Sequence, residues 1–143
     1  MVNFKRMKGK TTDMLVLASN PRNVRKVEPF VEQITSRLDV QPSVHGNILI
    51  SLTEAVTNAI VHGNDMDESK KVAVRLKKYP KGNKIAFLVK DEGRGFDYKG
   101  IPDPTKPENI CKIGGRGVFL MTQLTDNIVF HGNGSTVELQ FEV

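Results

Sequence analysis

The sequence predicts an α/β fold, a two-layer α/β sandwich in which a mixed, mostly antiparallel sheet carries three helices on one face. Three observations lead there. Two pairs of β-type segments are each joined by a short turn, around 80–83 and 132–134, so the members of each pair run antiparallel. Ahead of them, two long stretches repeat apolar residues at three- and four-residue steps, the period of an amphipathic helix. In the last segment Val137, Leu139, Phe141 and Val143 alternate with polar residues, so the sheet has one buried and one solvated face.

The elements follow in order. Residues 12–18 are rich in β-compatible side chains and read as a first strand. Ser19 or Asn20 then caps a helix, with Pro21 suited to its first turn. Val24, Val27, Val31, Ile34 and Leu38 mark its apolar face, and Pro29 bends or interrupts it near its start. A turn over 39–42 leads to a second helix at about 43–62, ended by Gly63-Asn64. Val72, Val74 and Leu76 alternate in a strand that returns through 85–90. From 91 to 117 glycine and proline are frequent and no period holds, and a long loop within a small domain is usually functional. A short helix over 118–124 precedes the final hairpin, 127–131 and 135–143.

The 143 residues suit one domain spanning 1–143, long enough to bury roughly 68–70% of its unfolded surface. Residues 1–11 read as a flexible basic segment. No internal repeat or linker marks a second domain. The longest apolar runs, Met14–Ala18 and 85–89, fall far short of the ~20 residues of a membrane helix, and no apolar signal region follows the basic start. A single cysteine, Cys111, allows no internal disulfide and fits a reducing compartment, so the expected location is the cytoplasm, away from membranes. The net charge of +5 comes from scattered lysines with few aromatics among them. Such a surface suits an acidic partner or a nucleotide phosphate better than direct nucleic-acid binding. His45, His62 and His131 lack the spacing of a zinc site.

Three short stretches carry chemistry. On the second helix Ile48, Leu52, Ala55, Val56 and Ala59 form the seam facing the sheet, and Ser51, Glu54, Asn58 and His62 form a polar row beside it. A carboxylate at such a border is partly withdrawn from water and suits proton work, and the Asn58 amide oxygen is a hard ligand suited to Mg2+. The row is equally that of an ordinary amphipathic border. Next, DEGRGFD at 91–97 follows a strand. Its glycines let a backbone approach a ligand, and Asp91 is an acceptor for an exocyclic amine such as adenine's. Finally, GGRGVFLM at 114–121 leads into a helix, where free N–H groups, the positive helix end and the Arg116 fork suit phosphates. It is neither a P-loop nor a strand-linked dinucleotide fingerprint.

In this order the three stretches resemble the GHKL ATPases of the Bergerat ATP-binding fold. Glu54 and Asn58 look like the N box, 91–96 the G1 box, and Gly115-Arg116-Gly117 the G2 box. The resemblance runs from about residue 12 to the C-terminus. TEAVTNAIVHGN, DPTKPENI at 103–110 and GGRGVFLMTQLTD are most similar to the anti-sigma-factor serine/threonine kinases within that superfamily.

The resemblance implies roles for single residues. Asp91 would bind the adenine amino group, with Gly93 and Gly95 giving the base room, and Phe96 of the same box would be among the cofactor-binding residues. Asn58 would coordinate Mg2+ between phosphates, and Glu54 would be the general base toward the attacking hydroxyl. Residues 98–114 would form an ATP lid. Gly115, Arg116, Gly117 and Val118 would hold phosphates, Thr136 would line the adenine pocket, and His62 would lie near the phosphates. The implied protein is an anti-sigma factor that phosphorylates a serine of an anti-anti-sigma protein, releases it, and then holds its sigma factor. A homodimer is implied as well. Every motif explains nucleotide binding and only Glu54 speaks for transfer, so a non-catalytic, nucleotide-binding anti-sigma or regulatory module stands as the alternative.

Overall fold

In the computed structural model, residues 13–80, 82–93, 116–132 and 135–143 are described, with 116–119 described by their backbone alone. The elements are β1 (Met14–Ala18), a 3-10 helix (Pro21–Lys26), α1 (Val27–Arg37), α2 (Pro42–Asn58) continued by a π-helical turn (Ala59–Gly63), β2 (Lys71–Lys78), β3 (Lys84–Lys90), α3 (Arg116–Leu124), β4 (Asn127–His131) and β5 (Thr136–Glu142). The first predicted helix is in fact two. Asn20 accepts the Arg22 N–H and Pro21 opens the 3-10 turn, as expected. The α-helix proper starts at Val27, which puts Pro29 in its first turn, where its missing N–H costs no helical hydrogen bond.

The five strands lie in the order β1-β2-β3-β5-β4. All of their pairings are antiparallel, so the parallel component allowed for in a mixed sheet is absent among the described residues. The register puts Leu15, Val74, Val89 and Val137 in one row, and Leu76, Phe87, Leu139 and Ile128 in a neighbouring one. These residues face the helices and meet Val27, Val31, Ile34, Ile48, Leu52 and Val56 in a single core. Phe87 sits at its middle, edge-on to Phe30 and Phe141 at 6.4 and 6.3 Å between centroids. Burying side chains of this size stabilises by roughly 1.5–3 kcal/mol each, which fixes how α2 is rotated against the sheet.

α1 and α2 are clipped by a hydrogen bond between Thr35 Oγ1 and His45 Nδ1, 2.8 Å. Arg37 of α1 pairs through both terminal nitrogens with Asp13, just before β1. On the other sheet face Glu138 is buried, although the strand alternation assigns it to the solvent side. Tyr79 and Gln140 donate to it, His131 Nε2 lies 3.1 Å away, and Lys77 stands at 3.8 Å. Burial alone would raise the Glu138 pKa, but these donors hold it below the usual carboxylate value. The same bond pushes Tyr79 up to about 12. No helix among the described residues is long and apolar enough to cross a membrane.

Candidate active site

The apolar seam predicted on α2 is buried throughout, from Ile48 to Ala59. The polar row beside it passes from core to solvent. Ser51 is fully buried, Glu54 and Asn58 are half-buried, and His62 is exposed. Neither the Glu54 carboxylate nor the Asn58 amide has a hydrogen-bond partner among the described residues. Both polar groups are thus placed one turn apart by the packing of their apolar neighbours and left open to a ligand.

Beyond Asn58 the helix widens into the π turn, where the Asn64 N–H reaches back to the Ala59 carbonyl, 2.9 Å. Such turns are rare and often sit at functional sites. This one brings Gly63 against the end of β3. A Cβ on Gly63 would overlap the Asp91 carboxylate, and a Cβ on Gly93 would overlap the Gly63 carbonyl oxygen. At Gly93 the clash is with backbone and glycine is required, whereas at Gly63 it is with a side chain that would have to move. Gly63, and with it Asp91, lies five residues past Asn58 at the same end of α2.

Asp91 is held from several sides. Its N–H donates to the Ser135 carbonyl at 2.9 Å, and its Oδ1 accepts the Gly93 N–H at 2.8 Å. Oδ2 has no donor among the described residues. Burial raises the Asp91 pKa, against the opposing pull of the Gly93 N–H and the Lys70 charge. The arrangement is a desolvated acceptor at the edge of the core with one oxygen free to receive an amine.

α3 packs along α2, and Arg116, Gly117 and Val118 form its first turn, so the backbone N–H groups there belong to a helix N-terminus. Gly95, Phe96, Gly115 and the 98–114 stretch lie outside the described residues, as does Cys111. Thr136 opens β5 opposite Lys90 and His131, on the sheet face away from the helices. The β5-side neighbour of Asp91 is Ser135, through its carbonyl. In the sequence Gly63 and Asn64 carried no role beyond ending the helix. Both positions carry the joint between α2 and β3.

A family profile described as histidine kinase-like ATPase domain matches residues 17–141. The chain belongs to that family. Within it, the chain is similar to the serine-protein kinase RsbW of Bacillus subtilis (strain 168), 26% identical over 128 residues covering 85% of this chain and 79% of the relative. It is also similar to the anti-sigma F factor of Anoxybacillus flavithermus (strain DSM 21510 / WK1), 30% identical over 120 residues, 79% of this chain and 77% of the relative. These likenesses place it with the anti-sigma-factor kinases of the histidine kinase-like ATPases. The fold matches the crystal structure of the RsbU and RsbW domains of Rv1364c from Mycobacterium tuberculosis, with a TM-score of 0.60 at 18% identity over 93% of this chain. This chain spans about a third of that one, 32%. A histidine kinase domain from Erythrobacter litoralis matches with a TM-score of 0.54 at 20% identity, over 81% of this chain and 60% of that one. An ATPase family implies that ATP is used.

Proposed function

We propose that the chain is an anti-sigma factor that binds ATP with Mg2+ and phosphorylates a serine of an anti-anti-sigma protein in a partner-switching cycle. One observation carries this reading: the desolvated Asp91 carboxylate closes against Gly63 at the end of the helix that presents Glu54 and Asn58. The relatives named serine-protein kinase and anti-sigma factor support the choice of substrate and partner.

The residues divide the work as phosphoryl transfer requires, mostly by positioning and charge. Asp91 Oδ2 accepts from the exocyclic amine of adenine, and Gly93 and Gly95 let the backbone pass beside the base, with Phe96 contributing to nucleotide binding. The first turn of α3, with Gly115, Arg116, Gly117 and Val118, offers N–H donors and a guanidinium to the phosphates. The Asn58 amide oxygen, half-buried and without a hydrogen-bond partner among the described residues, fits a hard divalent cation. Bound there, Mg2+ supplies positive charge against the phosphate oxygens. Glu54 takes the proton of the attacking serine hydroxyl as the oxygen–phosphorus bond forms, and ADP leaves. Phosphorylation adds about −1.5 to −2 charge at pH 7 to the partner and ejects it from a fitted surface, after which the sigma factor is held. The 98–114 stretch closes over the nucleotide, Thr136 adds to the pocket wall from β5, and the single domain works as a homodimer in the cytoplasm.

The test is transfer from labelled ATP to a cognate anti-anti-sigma protein in the presence of Mg2+. Wild type is expected to form phosphoserine, and Glu54→Ala to lose about 10²–10⁴-fold in rate. Undiminished transfer by Glu54→Ala would sink the assignment of the base. One observation favours a binding-only module instead. Asp91, Gly63 and Gly93 all serve binding, and Glu54 alone serves transfer. Tight sigma-factor capture with saturable ATP binding and no phosphoserine would select that reading.

A further inference from the structure

The side chain of Asn64 is completely buried at the joint of α2, β1, β2 and β3, with 0% of its surface exposed. Its Oδ1 accepts the Glu92 N–H at 2.8 Å. Its Nδ2 donates to Ser19 Oγ at 2.9 Å and to the Lys71 carbonyl at 3.0 Å. Ser19 spends its own proton on the Lys70 carbonyl at 2.7 Å, so it can only accept from Asn64. The amide therefore has one workable orientation, oxygen toward the 91–93 turn and nitrogen toward the strand ends.

The turn it grips is the one that carries the base acceptor. Glu92 stands between Asp91, whose Oδ1 takes the Gly93 N–H, and Gly93, which backs onto the Gly63 carbonyl. Glu92 Oε2 also accepts the Lys71 N–H at 2.6 Å, so this residue is tied to Asn64 by its amide and to the start of β2 by its carboxylate. The backbone of Asn64 is fixed as well, through the π turn on one side and the Asp67 N–H bound to its carbonyl on the other. Asp65 and Met66 follow it at positive φ, 52° and 56°, a local cost that the surrounding bonds must outweigh.

We infer that Asn64 is a positioning residue for base recognition: it sets the angle of the 91–93 turn so that Asp91 Oδ2 points at the exocyclic amine. This rests on the proposed nucleotide site and adds a determinant of its selectivity. Asn64 touches no nucleotide. It acts through the Glu92 amide, and loss of that bond frees the turn while leaving Glu54 and Asn58 on their helix.

The readout is preference for ATP over inosine triphosphate, which lacks the exocyclic amine. Asn64→Ala is expected to lose roughly tenfold or more of the wild-type preference and to raise KM for ATP, with kcat at saturating ATP changed by less than about twofold. Ser19→Ala breaks the same buried network on the side away from the turn, and is expected to lower Tm while keeping the preference. Should Asn64→Ala be too unstable to assay, hydrogen exchange at the Glu92 amide of the wild-type chain decides, slow exchange supporting the role and fast exchange overturning it. Full preference in Asn64→Ala together with its loss in Asp91→Ala would overturn the role of Asn64 alone. Full preference in Asp91→Ala would overturn the base site and this inference with it.

Discussion

Two carboxyl groups and a phenol show what single residues contribute. Asp91 is raised by burial, with the Gly93 N–H and Lys70 pulling the other way. A carboxyl whose folded pKa exceeds its unfolded one adds stability only while protonated, and that stability is lost as the pH rises through the folded pKa. At neutral pH the ionised Asp91 therefore burdens the fold. Asp91→Asn removes the charge and keeps an oxygen for Gly93. It is expected to melt at higher temperature than wild type near neutral pH, with the gap closing toward about pH 4 as the wild-type carboxyl protonates. Thermal melts across that range check it. An equal gap at every pH would contradict the assignment. Tyr79, held by Glu138 and pushed up to about 12, follows the same rule in a window far above neutral pH, so at pH 7 it stabilises the fold. Its stabilisation is complete below the ordinary tyrosine value and is lost as the pH rises through about 12. The chain has 2 tyrosines, so an alkaline absorbance titration of Tyr98→Phe reports Tyr79 alone. A midpoint near about 10, that of a free tyrosine, would show the bond to Glu138 to be absent.

At the scale of elements, the joint between α2 and β3 decides the site. Gly63→Ala sets its methyl against the end of the Asp91 side chain, which can swing away. The expected result is a folded protein whose ATP affinity falls at least about tenfold, the loss of one well-made polar contact. Gly93→Ala meets the backbone of Gly63 instead, which cannot yield in the same way. It is expected to cost more stability than Gly63→Ala, and equal melting temperatures would contradict that difference. The periodicity of α2 was legible in the sequence because its seam repeats within the chain, so the border position of Glu54 and Asn58 followed from local spacing alone. The role of Asn64 was not legible. Its side-chain partners lie 45, 28 and 7 residues away, and only strand pairing brings them together. Pro29 pointed to an interruption near the start of the first helix, which falls between Lys26 and Val27 and leaves Pro29 in the first turn of α1. The 3-10 geometry before it was not legible, because three- and four-residue hydrogen-bond steps leave nearly the same apolar pattern.

At the scale of the whole molecule, alternation and turns were enough to pair the strands within each hairpin. They did not show that β5 inserts between β3 and β4, which makes Ser135 the strand neighbour of Asp91 and turns Thr136 to the other face. That insertion also creates the buried Glu138 cluster, where a residue that alternation assigns to solvent is covered by Tyr79. The fold thus brings Asp91, at the end of β3, against Gly63, five residues past Asn58 at the end of the α2 layer. ATP titration by calorimetry, with wild type, Asp91→Ala and Asn58→Ala side by side, tests whether they form one site. Saturable binding to wild type in Mg2+ is expected, weakened at least about tenfold in either variant, with chelation of the metal bringing wild type to the level of Asn58→Ala. Undiminished ATP binding in both variants, or none in wild type, would contradict the account.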